Sequence, residues 1–147
     1  MKNPQLFLHL CLLSIGAASA QATPGDPGPR EAAPRWQGQY FGEAEAGARV
    51  VTEAHGWARL WKELGRTPPP LDFSRWCVVA AFAGQQPTGG FTLEIQEPVP
   101  EGEDLLVRWR VRAPAPGSIV TEALARPWVV KALPRPRGAV RLLRLDD

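Results

Sequence analysis

The sequence predicts a mainly β protein, an antiparallel β-sandwich or partly open barrel, with one amphipathic helix near residues 53–64. Three observations carry this. The chain of 147 residues holds 16 Pro and 14 Gly, a usage that disfavours a helical bundle. Short apolar or alternating runs recur from Trp76 to Leu145, separated by the turn clusters PTGG, PEGED, PAPGS and PRPRG. Helical spacing is visible in a single stretch, where Trp57, Leu60, Trp61 and Leu64 stand at i, i+3, i+4 and i+7. Apolar residues make up 44% of the chain, which is enough for one packed core.

The elements follow in order. Residues 1–20 have the layout of a secretory signal peptide: Lys2 in a positive leader, an apolar stretch from Leu6 to Ala18, and Ala18-Ser19-Ala20 as a small-residue cleavage site. Cleavage is expected after Ala20, with Ala22 the alternative. The apolar stretch is too short for a spanning helix. Leu10 before Cys11 does not make a lipidation site, so the expected product is exported to the periplasm or beyond the cell, without a lipid anchor. Residues 21–35 carry four Pro and almost no large apolar group, and read as a flexible tether. A single domain is expected over 36–147.

Within it, Trp36–Phe41 and Ala48–Thr52 read as strands. Thr52 offers a helix N-cap, Gly65 a C-terminal stop, and Pro68-Pro69-Pro70 forbids continuation. Trp76–Ala83 is continuously apolar, as a strand covered on both faces would be. Phe91–Gln96 alternates, and Leu105–Arg112 alternates more clearly: Leu105, Val107, Trp109 and Val111 inward, Arg108, Arg110 and Arg112 toward water. Ile119–Leu124, Trp128–Leu133 and Ala139–Leu145 complete the expected strands. Phe82, Phe91, Leu93, Ile95, Val107 and Trp109 are expected to build the inner face, with Trp57, Leu60 and Trp61 tying the helix to the sheet.

The available chemistry is narrow. Two Cys and two His are too few for a zinc site built from those ligands. After residue 20 the chain keeps His55, Cys77, Ser74 and Ser118 as its only His, Cys and Ser, so a nucleophilic device would have to use His55. Nothing around His55 resembles a nucleophile elbow, and Cys77 lies in the most apolar strand. The acidic groups Glu43/Glu45 and Glu101/Glu103/Asp104 fall in turn-like stretches, where solvation accounts for them. No catalytic residue, metal or cofactor is expected. The net charge of +2 does not fit a dedicated nucleic-acid binder. It is unevenly split: residues 21–104 hold 7 basic and 12 acidic side chains, residues 105–147 hold 9 and 3. The most distinctive segment is Gln85-Gln86-Pro87-Thr88-Gly89-Gly90-Phe91. Pro87 fixes φ, while Gly89 and Gly90 permit positive φ, so a shaped, exposed turn results.

The ordered set of motifs resembles the PrcB-like C-terminal domain family. The carriers are Trp57 and Trp61 on the helix, Asp72-Phe73, the apolar strand Val78–Gly84, the turn Pro87–Phe91, Pro114-Ala115-Pro116-Gly117, and Pro127-Trp128. They span roughly residues 50–145. The family takes its name from a secreted subunit that associates with and stabilises a surface protease complex. The resemblance therefore implies an exported, non-enzymatic accessory protein with a protein partner, an exported protease being the implied one. A second likeness is confined to loops. Pro87-Thr88-Gly89-Gly90-Phe91 and Arg126-Pro127-Trp128 look like two of the three loops of chagasin-type cysteine protease inhibitors, with Gln86 for Asn and the middle Gly-rich loop missing. Pro87, Thr88, Gly89 and Gly90, with Arg126 and Trp128 next, are thus the expected partner-binding residues, and a core position at a strand start is the alternative for Trp128. The inhibitor reading requires the Thr88 and Trp128 regions to share one end of the sandwich.

Overall fold

The structure, a computed structural model, describes residues 32–40 and 45–146. The expected signal peptide and most of the expected tether lie outside the described residues. The second of two compact units of the chain begins at Ala32, and the description below concerns it alone.

Eight strands and one helix make up this unit: β1 (Arg35–Gly38), β2 (Gly47–Val51), α1 (Ala54–Glu63), β3 (Trp76–Phe82), β4 (Thr92–Ile95), β5 (Val99–Glu101), β6 (Asp104–Arg112), β7 (Trp128–Pro134) and β8 (Val140–Arg144). The first sheet has the order β1-β7-β3-β2 and is antiparallel throughout. In the second sheet β6 pairs antiparallel with β4 and β5, and parallel with β8. The two sheets do not close into a barrel. The parallel pairing departs from the all-antiparallel expectation. The reason is topological: β7 and β8 are consecutive in sequence but sit in different sheets, so no tight hairpin joins them.

Three layers result. Alternate residues of β3 point to opposite faces. Val78, Ala80 and Phe82, with Trp128, Val130 and Ala132 of β7, face α1 and form one core with Trp57, Leu60 and Trp61. Cys77, Val79, Ala81 and Ala83, with Val129 and Leu133, face the second sheet and meet Leu93, Ile95, Val107 and Trp109. Burial on both faces is why β3 reads as an unbroken apolar run. Phe82 therefore belongs to the helix side and not to the face between the sheets, and Phe91 is half-buried in neither core. The helix layer is an aromatic cluster: Trp61 meets Trp57 at 5.2 Å, Trp36 at 5.6 Å and Trp128 at 6.1 Å between ring centroids, all edge-to-face. Such geometry adds about 0.5–1.5 kcal/mol per pair beyond area burial.

The helix begins without the expected Thr52 cap. Glu53 is the N-cap residue, and no side chain bonds to the free amides. Its end is as predicted. Gly65 takes φ +64°, its N–H donates to Lys62 O at 3.0 Å, and Arg66 N–H donates to Trp61 O at 3.0 Å. These two bonds make a Schellman cap, which needs a residue at ease with positive φ.

Two further strand expectations change. Residues 119–124 form no strand; the segment from 113 to 127 is irregular apart from one bridge between Gln86 and Ala125. Val99–Glu101 is a short strand that the two prolines Pro98 and Pro100 had disguised as turn.

Candidate functional site

Three segments meet at one end of the domain: Gln39–Tyr40 after β1, Gly84–Phe91 between β3 and β4, and Ala113–Pro127 between β6 and β7. The second and third are laced by backbone hydrogen bonds. Gln86 N–H donates to Ala125 O at 2.7 Å, Ala125 N–H returns to Gln86 O at 3.1 Å, and Gly89 N–H donates to Thr121 O at 2.9 Å. Arg126 links all three: its N–H donates to Gln39 O at 2.8 Å and its Nη2 to Gln85 Oε1 at 2.9 Å. The PAPG cluster forms a tight turn, with Ser118 N–H donating to Ala115 O at 3.0 Å and Gly117 at φ +79°. Pro at the second position and Gly at the third are what a type II turn requires.

The PTGG turn is seated in this lacing. Gly90 has φ +84°, and a Cβ there would stand 2.7 Å from Val120 Cγ1 and 3.0 Å from Pro114 Cβ. Glycine is thus required twice over, by conformation and by close approach. Pro87 and Gly90 are exposed, while Thr88 and Gly89 are half-buried. Thr88 Oγ1 donates to Gly89 O at 3.0 Å and fixes the turn from within.

Trp128 is different. It is 1% exposed, its Nε1–H donates to Tyr40 O at 3.2 Å, and its ring packs on Trp61. It is a core residue and offers no contact surface. The regions of Thr88 and Trp128 do share one end, but the aromatic anchor that an inhibitory wedge would use is inside the domain. Of the two sequence readings of Trp128, an anchor after Arg-Pro or a core residue at a strand start, its position in a strand buried on both faces selects the second.

The same end carries apolar groups that sequence reasoning did not place there. Five large apolar residues among the described residues are exposed, and three stand on these segments: Tyr40 at 69%, Ile119 at 102% and Leu124 at 58%. The available signal was negative. Residues 119–124 read IVTEAL, which lacks strict alternation and lies between Pro116-Gly117 and Pro127. An irregular segment of that length in a small domain is itself a pointer to function.

Residues 77–134 match the family model described as PrcB C-terminal. This segment is similar to the PrcB C-terminal family. The match runs from β3 to β7 and so contains both the PTGG turn and the 113–127 segment. It leaves out α1 and the Asp72-Phe73 pair, which the sequence likeness had included. Comparisons with curated proteins and with solved structures returned no significant match.

The groups that a nucleophilic device would need, Cys77, His55 and Ser74, lie on different elements. Cys77 is buried between the sheets, and that burial pushes its thiol up, against the opposing pull of Arg135. His55 is exposed on α1, which covers the opposite face of the same sheet. Ser74 Oγ and N–H donate to Asp72 Oδ1 at 2.7 and 2.9 Å, holding that carboxyl below its ordinary value. The charge split of the sequence is interleaved by the sheets. Arg110 and Arg112 pair with Glu94, Lys131 with Glu97, and Arg141 with Glu101. Among the described residues no group of three or more His, Cys, Asp or Glu could hold a metal, and no helix is long and apolar enough to cross a membrane.

Proposed function

We propose that this protein is an exported, non-enzymatic binding module that associates with a protease and stabilises it. The contact surface is the loop end formed by Pro87–Gly90, Ile119, Leu124 and Arg126, with Tyr40 beside it. One observation carries the reading: the PrcB-like match contains two loops that backbone bonds lock together, and three of the five exposed large apolar side chains among the described residues stand on that end. A rigid loop pair with apolar groups facing water loses little entropy on docking and gains area burial. Over the apolar part of such a patch the gain is about 25 cal/mol per Å² removed from water. The inhibitor alternative loses its aromatic anchor with Trp128 buried, and no second reading is favoured.

The test is affinity purification of tagged protein from the native envelope and medium, comparing wild type with Ile119→Glu/Leu124→Glu. Both side chains are exposed, so the variant is expected to fold. A protease retained by wild type and lost from the variant supports the proposal. A folded bait whose bound proteins do not change with the variant refutes the contact surface.

A further inference from the structure

We propose that the free edge of β8 takes up an extended, acidic-apolar segment of another protein as an added antiparallel strand. This goes beyond the loop-end reading and concerns a different surface.

The register of β6 fixes the edge. Leu105 N–H donates to Ala139 O at 3.0 Å and Leu145 N–H donates to Trp109 O at 2.8 Å. In a parallel ladder the bonding residues alternate. The odd-numbered residues of β8 thus bond to β6, and Val140, Leu142 and Arg144 turn their N–H and C=O groups away from it. Gln96 N–H donates to Arg108 O at 2.9 Å, which places β4 and β5 on the opposite side of β6. Among the described residues β8 pairs with no other strand. The two edges of this sheet are not protected alike. The β4–β5 side carries Pro98 and Pro100, which block strand addition. Residues 139–145 contain no proline and no acid.

Side chains state what the added strand must be. Val140 and Leu142 pair with Leu105 and Val107 and point to the space between the sheets, yet they are only partly buried against that core. Apolar residues on the inward face of an added strand would finish their burial. The outward side carries Arg108 and Arg137, with Arg141 bonded to Glu101 at 2.9 Å. Arg141 and Leu143 stand beside Leu106 and Arg108, Leu143 is 45% exposed, and Arg137 lies just before the strand. Arg108 and Arg137 have no acidic partner among the described residues. Acids alternating with apolar residues satisfy both faces. Charge also decides against a second copy as occupant, since two paired β8 edges would gather Arg137, Arg141 and Arg144 of both chains along one seam, with no acid within residues 139–145 of either.

The probe is a nine-residue peptide of alternating Glu and Val, blocked at both ends. In an antiparallel pair the residues opposite Val140 and Leu142 share their facing and exchange bonds with them, so the Val amides carry the docking. Titration followed by backbone NMR is expected to protect the amides of Val140, Leu142 and Arg144 from exchange. Lys in place of Glu, or N-methylation of the Val amides, is expected to weaken binding at least tenfold; N-methylation of the Glu amides is expected to change it little. An Arg108→Glu/Arg137→Glu protein is expected to prefer the Lys peptide. Absence of binding at millimolar peptide, binding indifferent to methylation of the Val amides, or a dimer in which those three amides are already protected would each overturn the proposal.

Discussion

Gly90→Ala tests the seating of the PTGG turn on the 113–127 segment. Two costs are separable. The first is conformational: at φ +84° a residue with a Cβ is about 1–2 kcal/mol less favourable than glycine. The second is steric. The new methyl would sit 2.7 Å from Val120 Cγ1 and 3.0 Å from Pro114 Cβ, against an ordinary carbon contact of roughly 3.5–4.0 Å. Neither neighbour can yield by a rotamer change alone, since valine is stiff at χ1 and the proline ring is fixed. Overpacking of this kind costs about 1–3 kcal/mol. The sum is about 2–5 kcal/mol, less the few tenths to about 1 kcal/mol returned by stiffening the unfolded chain. Gly102→Ala is the internal control, with φ +63° and nothing within 4 Å of its Cβ. It carries the first cost alone. Equilibrium urea unfolding of both variants should show Gly90→Ala less stable than Gly102→Ala by about 1–3 kcal/mol. Two variants within about 0.5 kcal/mol of each other would refute the claim that the turn is packed against Val120 and Pro114.

Other expectations follow from the same structure. Trp128→Ala should cost about 3–5 kcal/mol as a core truncation, while Ile119→Glu stays within about 0.5 kcal/mol; a Trp128 cost below that of a surface change would return the residue to the contact surface. The Arg110 guanidinium bonds Glu94 at 2.8 Å and holds its carboxyl below the ordinary value of 4.5. A depressed carboxylate contributes stability that is present above its unfolded value and lost as pH falls through the folded one. The stability gap between wild type and Glu94→Gln should therefore be open near pH 6 and close on acidification below about pH 4, and a gap constant across that range would contradict it. Cys77, buried between the sheets, should react with a thiol reagent only as fast as the domain opens; labelling of the native protein at the rate of a free thiol would show the core to be accessible.

The parts of the fold legible in the sequence are those set by local pattern. Trp57, Leu60 and Trp61 have no other way to share a face than a helix, and Gly65 ends it through a conformation that glycine favours. β3 reads as an apolar run because α1 covers one face and the second sheet the other. What the pattern does not hold is which parity faces which layer, and so Phe82 was placed between the sheets. Pairing over distance is equally silent: β8 runs parallel to β6 because β7 ends in the other sheet. The turn Pro87–Gly90 was legible from its dihedral demands. The exposed group of Tyr40, Ile119 and Leu124 was not, since it exists only once three segments distant in sequence are laced by Gln86, Gly89 and Arg126. Trp128 shows the converse, a residue whose local context allows a surface anchor or a core position at a strand start, and whose strand buries it.

The most direct test of the central claim is site-specific photo-crosslinking in the native host. A photoreactive side chain would be placed at Ile119 or Leu124 and, as a control, at Val99, which is 42% exposed on the outer face of the second sheet. The account predicts a crosslink to an exported protease from positions 119 and 124 and none from position 99. Crosslinks to the protease from position 99 alone, or none from 119 and 124 in folded, abundant protein, would contradict it.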